Sequence, residues 1–218
     1  MQLIFQFNRS KLILMKKILG VFVLSTFTLF GCISIAQLRG NTYSYSHKLA
    51  GDNITDNIYE DSDLKITFSV GTKEIDFEIY NKTDKSVKII WDETSFVPYG
   101  EGKKIMHKGV KYADRDAAQV PTSIPSKTTW SDMVVPTDNV YYRQGYYSQY
   151  VSNPGGWETH DLWITADFNK PETEAMVMKL KGWKYRLVMP MEVNGVKKDY
   201  TFNFEITDIV KSDPPATN

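Results

Sequence analysis

One cysteine, three histidines and one dense run of tyrosines hold most of the chemistry available to this 218-residue chain. Nucleophilic catalysis needs a Ser, Cys, Thr or Lys beside an oriented base. The imidazoles are His47, His107 and His160, and none belongs to a Gly-x-Ser-x-Gly elbow or a His-Glu-x-x-His helix. They read as water-exposed residues in loops and at strand ends, and the chain reads as a non-enzyme, with an envelope hydrolase using carboxylates from distant positions as the alternative. Asp114 and Asp116 could offer oxygens to calcium, but Arg115 stands between them and no glycine-containing loop follows. Met176/Met178 and Met189/Met191 are soft thioether pairs, yet without His or Cys close by in sequence they read as core filler. No metal and no cofactor is expected.

The tyrosine run is Tyr141-Tyr142-Arg143-Gln144-Gly145-Tyr146-Tyr147-Ser148-Gln149-Tyr150, followed by Asn153-Pro154-Gly155-Gly156-Trp157. A polar, glycine-containing loop cannot bury all of these rings. Tyr and Trp combine a rigid apolar body with a polar tip, which suits protein interfaces and stacking on sugars. Tyr141, Tyr142, Tyr146, Tyr147, Tyr150 and Trp157 are therefore the candidate contact, with an envelope protein or a glycan as ligand. The competing reading folds the rings back on Trp130 or Trp163.

The lone thiol has a different chemistry. Met15-Lys16-Lys17 followed by the apolar residues 18–30 has the form of an export signal, and at 13 residues the apolar stretch is too short to span a bilayer. Residues 1–14 are either part of that leader or an upstream start-site artefact. Leu29-Phe30-Gly31-Cys32 resembles the lipobox of bacterial lipoproteins, which implies acylation of Cys32 and cleavage before it. Phe30 departs from the small or β-branched residue usual at its position. Cleavage after Ser34-Ile35-Ala36 is the alternative, and would leave a soluble periplasmic or secreted protein. With no second cysteine, Cys32 has no intramolecular disulfide partner, which favours acylation. Ile33 and Ser34 lack the aspartate that retains well-studied Gram-negative lipoproteins in the inner membrane, which points to the outer one.

Charge narrows the partners. Residues 1–31 contain Arg9, Lys11, Lys16 and Lys17 and no acid, so 22 of the 26 basic residues face 26 acidic ones after the signal. A net charge of −4 does not neutralise phosphates, which excludes nucleic acid.

The elements that must position these residues are strands. Leu64, Ile66, Phe68 and Val70 alternate with polar residues, as do Ile75, Phe77 and Ile79, then Val87, Ile89 and Trp91. Short strands are expected around Thr94 to Val97 and Lys103 to His107, from Thr128 to Val135, and at Leu162, Ile164 and Ala166; residues 111–127 read as loop. Tyr185 to Val193 and Tyr200 to Ile206 flank Asn194-Gly195, the strongest short hairpin cue. Pro190 places its strand at an edge or on a bulge. Pro171 to Leu180 is the one helical turn. The sum is an all-β, immunoglobulin-like β-sandwich of about eight or nine antiparallel strands. The expected organisation is a signal over 1–31, a lipid-anchored tether over 32–52, the sandwich over 53–210 and a disordered tail over 211–218.

The segment Phe77-Glu78-Ile79-Tyr80-Asn81-Lys82-Thr83-Asp84-Lys85-Ser86-Val87-Lys88-Ile89-Ile90-Trp91-Asp92, leading to Ser95-Phe96, resembles uncharacterised bacterial envelope lipoproteins. His107-Lys108-Gly109-Val110-Lys111-Tyr112 and Gln119-Val120-Pro121-Thr122-Ser123-Ile124-Pro125 are similar to that group as well. The resemblance covers about two-thirds of the chain after Cys32 and lies in turns and loops, so it implies a sandwich fold and no activity.

Overall fold

The computed structural model describes residues 40–149, 152–167 and 170–212. Cys32, Tyr150 and residues 213–218 lie outside them. Sixteen strand segments and one helix make up the described part. The strands are β1 (Thr42–Ala50), β2 (Ile54–Thr55), β3 (Ile58–Glu60), β4 (Leu64–Val70), β5 (Ile75–Asn81), β6 (Val87–Ile89), β7 (Ser95–Val97) and β8 (Lys103–His107). They continue with β9 (Thr122–Ile124), β10 (Thr129–Pro136), β11 (Val140–Arg143), β12 (Tyr146–Tyr147), β13 (Ser152–Asn153), β14 (Gly156–Thr159), β15 (Lys184–Val193) and β16 (Val196–Ser212). The helix α1 is Pro171–Met178.

All strand pairs are antiparallel and form a sandwich that is nearly closed. One layer runs β1-β16-β15-β7 and the other β10-β5-β4-β3-β2. The first half of β8 pairs with β7 and the second half with β10, so this one strand turns the corner between layers. Alternation explains the interior. Leu64, Ile66 and Phe68 on β4 face Tyr200, Phe202, Phe204 and Ile206 on β16, all buried. Phe68 lies 4.7 Å from Phe202 and 5.4 Å from Phe204, which puts the ring contact at the centre of the core.

The Asn194-Gly195 turn forms as its sequence requires, with φ of 54° and 82°. Its two-residue length fixes the register Val193↔Val196, and Pro190 falls opposite Asp199. Pro190 is not on an edge, because β15 is flanked by β16 on one side and by β6 and β7 on the other. Proline is tolerated here because its missing donor faces the gap between β6 and β7. There its carbonyl accepts from the backbone N–H of Ile90 at 3.0 Å, just before a 3₁₀ turn at Trp91–Glu93.

Several expectations need correction. Residues 42–50 are not tether but β1, paired along its length with β16. Tyr43 and Leu49 are buried, and His47 continues the inward face that the polar histidine disguised. A bulge between Ser46 and His47 lets both strands keep their apolar sides inward. Lys211 and Ser212, expected in the tail, belong to β16. Within the presumed loop 111–127, β9 pairs with β6 and buries Ile124 between two prolines. Leu162, Ile164 and Ala166 form no strand; Leu162 is buried, Ile164 is exposed, and Ala166 makes an isolated bridge to Thr42. Trp91 does not continue β6 but enters the 3₁₀ turn. The described strand segments outnumber the eight or nine expected because all of the unexpected ones except β1 are rungs of two to four residues, too short for a readable period.

Candidate functional site

The tyrosine run is a hairpin, not a loop. Val140 to Arg143 pair with Gly156 to Thr159, and Tyr146 and Tyr147 pair with Asn153 and Ser152. Its base is fixed by Val140, which packs with Met106 and Val135 in a small satellite core. Between the two ladders the ribbon closes on Gly145 and Gly155. A Cβ on Gly155 would lie 2.8 Å from the Gly145 nitrogen and 2.9 Å from the Arg143 carbonyl oxygen, so backbone contact requires glycine there.

The two faces of this ribbon differ. On one, Tyr141 stacks on His160 at 4.1 Å while its hydroxyl donates to Glu158 at 2.8 Å. The Arg143 guanidinium also donates to Glu158, and to Asn153 at 2.8 Å. These bonds from Arg143 and then Tyr141 hold the Glu158 carboxyl below the usual carboxylate range. On the other face, Tyr142 and Trp157 are directly paired and meet edge to face at 5.4 Å, with Arg115 over the Trp157 ring at 5.2 Å. Tyr142, Tyr146, Tyr147 and Trp157 are 55, 64, 70 and 38% exposed. Among the described residues no ring of this hairpin lies against Trp130 or Trp163. Tyr150, the sixth candidate, lies outside the described residues.

His47 and His107 are more embedded than their sequence context suggests, whereas His160 is exposed just after β14, as expected. His47 sits among Tyr45, Trp163 and Tyr185, and its Nδ1 is 2.9 Å from the Tyr185 hydroxyl. Burial without a compensating acid pushes its pKa down from 6.5 to about 4, and burial likewise raises that of Tyr185. His107 stacks flat on Trp91 at 4.2 Å, and its Nδ1 is 3.2 Å from Asp132. Asp132 is buried and also accepts the backbone N–H groups of Lys108 and Met133, at 2.9 and 2.8 Å, and the Trp130 indole N–H. Gln119 donates to the Ile105 carbonyl and accepts from the His107 N–H. The His–Asp pair thus ties β8 to β10, a network that no local motif announced although His107 and Gln119 lie in the segments 107–112 and 119–125.

Asn81 has a structural role too. The buried Asn81 amide donates towards the carbonyls of Lys85, Ile124 and Pro125, while its Oδ1 accepts the Thr83 N–H at 2.9 Å. Asp116 meets Arg115 at 3.8 Å, the ion-paired alternative to calcium. Met189 and Met191 are core, whereas Met176 and Met178 lie on α1 and are exposed, because the helix turns Val177 between them inward. Among the described residues no cluster of three His, Cys, Asp or Glu side chains could hold a metal.

An open cleft of about 510 Å³ lies over the outer face of β4, β5 and β10, bordered by Asp76, Glu78, Ser131 and Lys108. Among the described residues no helix is long and apolar enough to cross a membrane. Comparison of the chain with protein-family models, curated proteins and solved structures gives no match.

Proposed function

We propose that this is an exported, lipid-anchored envelope protein, acylated at Cys32 and held at the outer membrane, whose sandwich is a non-enzymatic binding or assembly module. The carrying observation is the hairpin from Val140 to Thr159, which leaves Tyr142, Tyr146, Tyr147 and Trp157 exposed together on a short ribbon. Aromatic rings with polar tips are the side chains most enriched at protein contacts. The internal pairing of Arg143, Glu158 and Tyr141 supports a surface shaped before its partner arrives. The immunoglobulin-like reading of the sandwich belongs to this proposal and is supported by the wholly antiparallel pairing.

A glycan is the second reading, supported by the Tyr142–Trp157 pair, whose rings stand exposed together on one face of the ribbon. A photo-crosslinking residue at Tyr147 in the native envelope is expected to give a discrete protein adduct, with Tyr80 as the control site. Glycan-array binding without an adduct would select the second reading, and neither result would sink both. Cys32→Ser is expected to abolish incorporation of labelled palmitate; incorporation that persists would remove the anchor.

A further inference from the structure

A second group of exposed rings lies beside the point where the upstream chain enters the fold. Tyr99, Ile164 and Trp183 are 57, 40 and 39% exposed. Tyr99 lies 5.5 Å from Trp183, and it lines with Ile164, Thr165 and Ala166 one open depression of about 370 Å³. The patch is held in place from beneath. Trp183 Nε1 donates to the Pro98 carbonyl at 2.7 Å, the Tyr45 hydroxyl donates to the Ile164 carbonyl at 2.5 Å, and Tyr99 packs on buried Trp163 at 6.0 Å.

The entering chain is clasped at the same place. The Asn41 backbone and side-chain amides donate to Asp167 at 2.9 and 3.0 Å, and the Tyr43 N–H donates to the Thr165 carbonyl at 2.9 Å. Thr42 bridges Ala166. Seven residues lie between Cys32 and Gly40 in sequence, a reach of roughly 28 Å at full extension.

We infer that Tyr99, Ile164 and Trp183 form the face that rests on the lipid bilayer, their rings at the level of the headgroups. This rests on the acylation of Cys32. A short link to an acyl chain sets how far the folded unit can stand from the membrane but not which side it presents. Tyr and Trp are enriched at the membrane–water interface because an apolar body and a polar tip satisfy both media there. The patch combines those side chains with the entry point of the link, and the hairpin is left to meet a partner.

The test uses the full chain, purified in detergent and reconstituted into phosphatidylethanolamine–phosphatidylglycerol vesicles with brominated acyl chains. Bromine quenches tryptophan emission only at close range. The acylated chain is expected to float with vesicles and to lose emission, and Trp183→Phe to float equally but lose at least half of the quenching. Tyr99→Trp, which leaves Trp183 in place, is expected to add a quenched component, and it keeps the test alive if Trp183→Phe does not fold. Flotation without quenching overturns the proposed face while leaving the anchor intact. Quenching that is removed by Trp157→Phe instead does the same, and assigns the hairpin to the membrane. A wild-type chain that carries no acyl group and does not float overturns the anchor, and the membrane face with it.

Discussion

The molecule has two aromatic-rich regions with the same side chains and opposite fates. Around Trp163, the rings of Phe96 and Tyr185 pack from two sides and both residues are buried. On the Val140–Thr159 ribbon, Tyr142 and Trp157 meet each other, Arg115 lies over the Trp157 ring, and both remain exposed. Ring content therefore does not decide burial; what decides it is whether a second layer of sheet covers the strand. Tyr185 lies on β15 in the main core cluster, which Trp163 joins from the segment after β14, whereas the ribbon pairs only with itself. A covered ring stabilises the fold through the apolar area it removes from water, and an uncovered ring keeps that area available for a partner.

Substitutions should separate the two regions by size of effect. Phe202→Ala, which empties the centre of the core, is expected to cost about 3–5 kcal/mol in denaturant unfolding. A cost near that of an exposed site would mean the layers do not enclose this ring. Asp132→Ala removes the acceptor shared by two backbone N–H groups and His107, and about 2–3 kcal/mol should be lost. Retained stability would show that these donors find other partners.

His47 gives the comparison a pH signature. Its folded pKa of about 4 lies below the ordinary 6.5, so the unfolded chain binds the extra proton first. Stability from this site is complete above pH 6.5 and falls as the pH drops towards 4. Denaturant midpoints measured between those limits should decline less in His47→Phe than in the wild type, and equal slopes would remove His47 as the cause.

The ribbon should respond more weakly. Gly155→Ala forces apart the contact with Gly145 and is expected to disturb the hairpin for about 1 kcal/mol or less of global stability, with chemical-shift changes confined to the ribbon and its base. Tyr146→Ser with Tyr147→Ser should change stability by no more than about 0.5 kcal/mol while abolishing the crosslink or glycan signal. A large loss of thermal stability in that double variant would place these rings in the core and break the contrast.

Long alternating runs were legible in the sequence: Leu64 to Val70, Ile75 to Asn81 and the hairpin about Asn194-Gly195 each form as their period of two requires. The proline-initiated helix was legible as well, because its cap chemistry is local. The unread strand β1 shows the limit. Tyr43, His47 and Leu49 share a face whose burial depends on β16, about 160 residues further along the chain. The hairpin of the tyrosine run was hidden for a related reason. Its ladders join aromatic residues to Asn, Gly and Glu, so no hydrophobic period marks them, and only pairing across the ribbon separates the Tyr142 face from the Tyr141 face.

By itself, then, the sequence determined the strand-rich class and the principal turns, because each follows from neighbours a few residues apart. The tertiary structure alone decided which aromatic rings are covered, that His107 meets Asp132 and that Pro190 sits inside a sheet. Those outcomes depend on which distant strands become neighbours, and a side chain's burial is a property of the layer laid over it.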